Sequence, residues 1–226
     1  TPLVFTILRV HMQLLIPISH MRKLMIASLV LVSTLTCAIA QDIGIAFSIL
    51  IPGNFQDEDL DKFNFPAYGW LALVAKDGRW ELMPTKVSIE NQVVTSNYDK
   101  AIALLHERSL TPGKVDTPNM KFSGERRRLF RDDPGTIKMN YKGMEYGLTM
   151  NKSGKITLYN SVLSTTLEEV RLGASLVWAG DLDKDGKLDL IIETETENNA
   201  TYCLFLSAAA GEKSLVKKVG CQFYSG

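Results

Sequence analysis

From residue 180 to 189 the chain reads Gly-Asp-Leu-Asp-Lys-Asp-Gly-Lys-Leu-Asp, and no other stretch narrows the fold as far. Asp181, Asp183, Asp185 and Asp189 stand at loop positions 1, 3, 5 and 9, with Gly186 at position 6. Carboxylates crowded this closely repel one another unless a cation draws them together. Hard cations, calcium above all, collect several oxygen ligands, and such spacing supplies them. Glycine at position 6 permits the sharp turn that wraps the chain round the ion. Lys187, at position 7, is the expected backbone-carbonyl ligand. The alternative is an acidic surface hairpin that holds no ion.

The flanks decide the type of loop. A helix–loop–helix calcium site needs a bidentate glutamate at position 12. Ile192 stands there, and Glu193 comes one residue late. Residues 188–196 are rich in β-branched residues and largely alternating and read as a strand, and residues 174–179 read as a strand as well. The loop is therefore expected to join two strands, with Asp189 closing the ligand set from the start of the second. Residues 178–192 resemble the calcium loop of the FG-GAP/VCBS-type repeats, Asp-x-Asp/Asn-x-Asp-Gly-x-x-Asp followed by an apolar strand. Asp181, Asp183, Asp185, Gly186 and Asp189 carry that resemblance, which spans residues 174–196 and a single loop. Such repeats occur in integrin α-chain propellers and in many bacterial exported proteins. The resemblance thus implies calcium as the ion and a bacterial source.

The other end of the chain points to export as well. Met21-Arg22-Lys23, the apolar run 24–35 and Ala38-Ile39-Ala40 have the order of a secretory signal: basic, apolar, then small-x-small. Residues 1–20 are expected to lie upstream of the true start, 21–40 to form the signal peptide, and 41–226 the β-rich calcium-binding domain. A retained membrane anchor is the competing reading. The apolar run falls short of the ~20 residues a span needs, so no stable membrane span is expected after cleavage. The expected location is periplasmic or secreted.

The chain carries 25 basic and 25 acidic residues. Three of the bases, Arg9, Arg22 and Lys23, and none of the acids precede residue 41, leaving 22 against 25 in the domain. That balance offers no footprint for nucleic acid. Arg126, Arg127, Arg128 and Arg131 cluster, but Asp132 and Asp133 follow at once, as in a solvated loop. Cys203 and Cys221 are the two cysteines after residue 40. An even pair in an exported protein favours a disulfide, and both lie in strand-like segments separated by a turn near Gly211. Free buried thiols are the alternative.

The rest of the domain is a succession of short extended runs. Asp77-Gly78 between residues 68–74 and 79–83 marks a hairpin, and Lys142-Gly143 separates a second pair. Residues 101–106 fit either a short helix or a strand. Residues 165–172, with acids near the start and Gly173 after them, fit a short helix, and 114–135 read as loop. The expectation is a mainly β, single sandwich- or barrel-like domain with at most one or two short helices. The acidic run 57–61 lacks a glycine and reads as solvated loop.

Catalysis has little to stand on. His106 is the single histidine after residue 40, and no Gly-x-Ser-x-Gly elbow accompanies it. Gly180 to Lys187 is one residue too long for a phosphate loop. The leading expectation is a non-enzymatic, exported calcium-binding β-domain of structural or interaction type. Trp70 and Trp80 raise an alternative, a module for a surface glycan or protein, although core packing is the commoner role for such residues. Paired carboxylates leave a glycoside hydrolase as a third, weaker alternative.

Overall fold

Short alternating runs closed by tight turns account for all regular structure among the described residues, and no helix occurs among them. The structure, a computed structural model, describes residues 48–54, 66, 68–121, 128–133 and 135–225, all within the compact unit Ala46–Gly226. The leader, the acidic run 57–61 and arginines 126 and 127 lie outside the described residues.

Eight strands come first among the described residues: β1 (Ile49–Leu50), β2 (Gly53–Asn54), β3 (Trp70–Lys76), β4 (Arg79–Thr85), β5 (Val87–Glu90), β6 (Val93–Ser96), β7 (Ala101–Leu105) and β8 (Gly113–Val115). They form a first sheet, ordered β1-β7-β3-β4-β8, and a small cap sheet, β2-β6-β5. Then follow β9 (Asn119–Lys121), β10 (Arg128–Phe130), β11 (Thr136–Tyr141), β12 (Met144–Met150), β13 (Lys155–Tyr159) and β14 (Ser164–Glu169). An outer sheet takes the order β14-β13-β12-β11-β9. The last strands, β15 (Gly173–Gly180), β16 (Asp189–Glu195), β17 (Asn199–Leu206) and β18 (Lys217–Ser225), form a central sheet ordered β10-β15-β16-β17-β18.

Local chemistry sets the registers. Lys76 pairs with Arg79 across Asp77-Gly78, whose φ angles are 50° and 74°. Tyr141 pairs with Met144 across Lys142-Gly143, at 48° and 82°. Two consecutive positive φ values make the tight turn whose twist matches that of the flanking strands. Asn91-Gln92 makes the same turn between β5 and β6 without a glycine.

Three local expectations are settled or revised. Residues 101–106 hold a strand, β7. Residues 165–172 are not a helix: Ser164–Glu169 is β14, paired with β13. Its consecutive threonines favour the pleated surface, and pairing with β13 outweighs the weak N-terminal preference of the acids. The region expected as loop at 114–135 contains parts of β8, β9 and β10, each pairing with a longer strand.

The sheets stack face to face in the sandwich manner. Ile137, Met139, Leu148, Met150, Ile156 and Leu158 of the outer sheet meet Leu176, Leu190, Ile192 and Phe205 of the central one. The opposite face of the central sheet, with Trp178, Ile191 and Leu204, meets Leu71, Leu73, Leu82 and Leu105 of the first sheet. The first sheet's other face, with Trp70, Ala72 and Leu104, packs on Val94 beneath the cap. The central sheet is thus covered on both sides, which is why the consecutive apolar residues Leu190, Ile191 and Ile192 of β16 are all buried. Each large side chain buried here stabilises by roughly 1.5–3 kcal/mol.

A bulge interrupts β15. Leu176 pairs with Ile192 and Trp178 with Ile191, so Val177 has no counterpart on β16. Leu176 therefore faces the outer sheet while Val177 and Trp178 both face the first sheet. Bulges re-aim side chains in this way and increase the twist of the strand. This one lies three residues before Gly180, where the aspartate-rich loop begins.

Candidate metal centre

The loop leaves β15 at Gly180 and enters β16 at Asp189, and these two residues pair across the ladder. The central sheet therefore holds the mouth of the loop closed. Glycine is required at 180 by crowding: a Cβ there would lie 2.4 Å from the Asp116 carbonyl oxygen and 2.4 Å from the Trp178 ring. The same Asp116 carbonyl accepts the Asp181 N–H at 2.9 Å, fixing the entry. Lys184 at φ 62° and Gly186 at φ 87° turn the chain back, and the Lys184 ammonium donates to the Pro112 carbonyl at 2.7 Å.

Carboxylate oxygens of Asp181, Asp183 and Asp189 lie within 4.8 Å of one another. Oxygens that share one calcium at ~2.3–2.6 Å are separated by at most about 5 Å, so a single ion can reach all three. Asp181 and Asp189 are buried, at 4% and 0% exposure. The Oδ2 of Asp181 accepts from the Tyr141 hydroxyl at 2.9 Å, the Gly186 N–H at 3.0 Å and the Lys142 ammonium at 3.2 Å. Its Oδ1 is buried with no hydrogen-bond partner. An uncompensated buried carboxylate oxygen is costly, and a cation held by the three carboxylates would compensate it.

Asp189 is oriented from both sides. Its Oδ2 accepts the N–H groups of Leu182 and Asp183 at 2.7 and 3.3 Å. Its Oδ1 accepts both the N–H and the hydroxyl of Ser207. Burial pushes the Asp189 carboxyl up to about 7, opposed by these hydrogen bonds and reinforced by nearby Asp183. Asp183 is raised as well, chiefly by burial. Bound positive charge would reverse both effects, because it favours the ionised form. On the opposite wall, burial pushes the Tyr141 hydroxyl up to about 12, and hydrogen bonds with Tyr141 and Asp181 raise Lys142 above its ordinary value.

Asp185 stands outside the mutual triad. Its Oδ1 accepts the Lys187 N–H at 2.8 Å and the Ser207 hydroxyl at 3.0 Å. Lys187 is exposed, with its ammonium 3.8 Å from Asp185. Tyr141, Lys142, Ser207 and the Asp116 carbonyl were not singled out from the sequence. They arrive from the outer sheet, the end of β17 and the segment after β8, and no local pattern announces them.

The other candidates fall elsewhere. Trp70 is buried, donating its indole N–H to the Pro66 carbonyl at 2.8 Å, and so offers no platform to a glycan. Trp80 packs edge-on against Trp178 with ring centres 6.3 Å apart. The His106 ring lies 5.2 Å from that of Trp70.

Cys203 and Cys221 sit directly opposite each other on β17 and β18 and are joined by a disulfide, their Cα atoms 4.1 Å apart. Such bonds persist in oxidising compartments. Among the described residues no helix is long and apolar enough to cross a membrane. Comparison with protein-family models, with curated proteins and with solved structures gives no significant match.

Proposed function

We propose that the chain is an exported β-domain that binds one calcium ion at the end of its central sheet, and that the ion's role is structural. Asp181, Asp183 and Asp189 supply side-chain oxygens, and Asp185 and the Lys187 carbonyl complete the set. The observation that carries this reading is Asp181: its Oδ1 is buried and partnerless, and its carboxylate lies close to two others. Calcium fits an all-oxygen, carboxylate-rich donor set better than zinc or copper, which favour nitrogen and sulfur. The disulfide supports an extracytoplasmic, periplasmic or secreted, location. An ion here would tie β15 to β16 and neutralise the acids between them. At a calcium concentration a hundred times the Kd it would add about 2.7 kcal/mol to stability.

Calorimetric titration of the chain with calcium tests the reading. One ion per chain is expected, with binding weakened at least tenfold in Asp181→Asn and Asp183→Ala. No heat at millimolar calcium from the folded wild type would end the proposal.

A further inference from the structure

On the outer sheet, away from the face that packs on the core, Gly147 and Tyr159 pair directly across β12 and β13. The phenol ring lies down on the glycine: a Cβ at Gly147 would meet the ring atoms at 2.3–2.6 Å. One face of the ring is thereby held against the strand, and the 37% exposure of Tyr159 belongs to the rest. Aromatic rings placed over strand glycines also serve simply to cover them, so the ring alone assigns nothing. Its surroundings do.

Tyr159 forms the wall of a cavity of about 370 Å³, shared with Met144, Glu145, Asn160 and Ser161. Small-molecule sites begin at about 300 Å³. Met144 is exposed beside the ring. Glu145 is exposed and, among the described residues, pairs with Lys138 at 3.8 Å in a solvated pair. The Asn160 carbonyl is occupied by the N–H groups of Val162 and Leu163, both at 2.8 Å. Its amide hydrogen-bonds to the Tyr146 hydroxyl and faces a much poorer partner in the Met144 sulfur at 3.0 Å, since a thioether is a weak acceptor. The cavity therefore presents an immobilised aromatic face, a carboxylate acceptor, an amide donor and a hydroxyl.

We propose that this cavity binds a neutral saccharide, with a pyranose ring stacked on Tyr159 and its hydroxyls hydrogen-bonded to Glu145 and the Asn160 amide. A pyranose has one apolar C–H face, which suits the negative face of an aromatic ring, and an equatorial fringe of hydroxyls that both donate and accept. An apolar peptide would fill the space beside Met144 and Tyr159 but would offer the Glu145 carboxylate no donor and the amide nothing better than the Met144 sulfur. The cavity shares no lining residue with the aspartate-rich loop, and the proposal does not rest on the calcium reading.

The test is binding of the purified chain to an array of neutral hexose and N-acetylhexosamine oligosaccharides, with calorimetry on the best ligand. Saturable one-to-one binding is expected. Tyr159→Ala should weaken it at least tenfold and Tyr159→Phe by less than threefold, with thermal melting as the control for folding. Glu145→Gln lies on an exposed side chain that the fold does not need, and should weaken binding at least fivefold. Absence of neutral-glycan binding at millimolar concentration, glycan binding unchanged by both Tyr159→Ala and Glu145→Gln, or selection of apolar peptides in place of glycans would overturn the proposal.

Discussion

Ser207 gives both its backbone N–H and its hydroxyl to the same atom, Oδ1 of Asp189, at 2.7 and 2.8 Å. The hydroxyl also lies 3.0 Å from Asp185 Oδ1. One serine at the end of β17 therefore aims the buried carboxylate at the start of β16. Hydrogen bonds to charged groups contribute about 1.5–3 kcal/mol. Ser207→Ala keeps the N–H and loses the hydroxyl. It should lower stability by about 1–2 kcal/mol in urea denaturation and weaken calcium binding several-fold in the same preparation. A wild-type midpoint and affinity would show that Asp189 is held without the hydroxyl.

The raised Asp189 carboxyl gives calcium binding a definite pH dependence. Calcium takes the deprotonated form, so binding releases a proton wherever Asp189 is protonated in the free protein. With that group at about 7, affinity should fall as pH drops below 7, by up to about tenfold per unit. In the metal-free protein the sign is opposite. Its folded carboxyl binds a proton more tightly than an unfolded one, whose ordinary value is 3.8, so its contribution to stability is lost as pH rises from about 4 to about 7. Melts of the chelated protein between pH 4 and 7 read the second effect, and calcium titrations at pH 6, 7 and 8 the first. An affinity that is flat across this range would contradict the assignment.

Two glycines near the site should respond differently to alanine. At Gly180 a Cβ would strike the Asp116 carbonyl and the Trp178 ring, both at 2.4 Å. Overpacking of this kind costs about 1–3 kcal/mol or more. At Gly143 the surroundings are open and only φ 82° opposes a side chain, a cost of about 1 kcal/mol. Thermal melts should rank Gly180→Ala well below Gly143→Ala. Gly180→Ala should also impair calcium binding, because it displaces the residue before Asp181.

The disulfide closes a sequence separation of 18 residues between neighbouring strands. A cross-link of that span stabilises by about 3 kcal/mol in the chain-entropy description. The double variant Cys203→Ala/Cys221→Ala should melt lower by that amount under oxidising conditions. Dithiothreitol should lower the wild-type midpoint and leave the variant unmoved.

What could be read in advance was what neighbouring residues encode. Asp77-Gly78 and Lys142-Gly143 specify their turns through backbone preference alone, and alternation marks the strands beside them. The aspartate spacing likewise converges because the loop is short and closed by the pairing of Gly180 with Asp189. Contacts across layers left no such trace. Tyr141 and Lys142 reach Asp181 from 40 and 39 residues away, and Ser207 reaches Asp189 from 18. Residues 165–172 show the same limit in local structure: acids at a segment's start favour a helix weakly, and partners on β13 decided for a strand. The aromatic beside an open cavity proved to be Tyr159 rather than either tryptophan, because only the tertiary fold determines which face of a sheet meets solvent.

The bulge at Val177 has a consequence for how this strand tolerates changes of length. Since Leu176 and Trp178 already pair with adjacent residues of β16, excision of Val177 would leave a continuous ladder with every remaining side chain on its present side. Because Val177 and Trp178 face the same side, loss of Trp178 would also preserve the alternation, whereas removing any other single residue between Ala174 and Ala179 would invert the facing of one part of the strand against the other. Variation in the length of this segment is therefore confined to the bulge, residues 177 and 178.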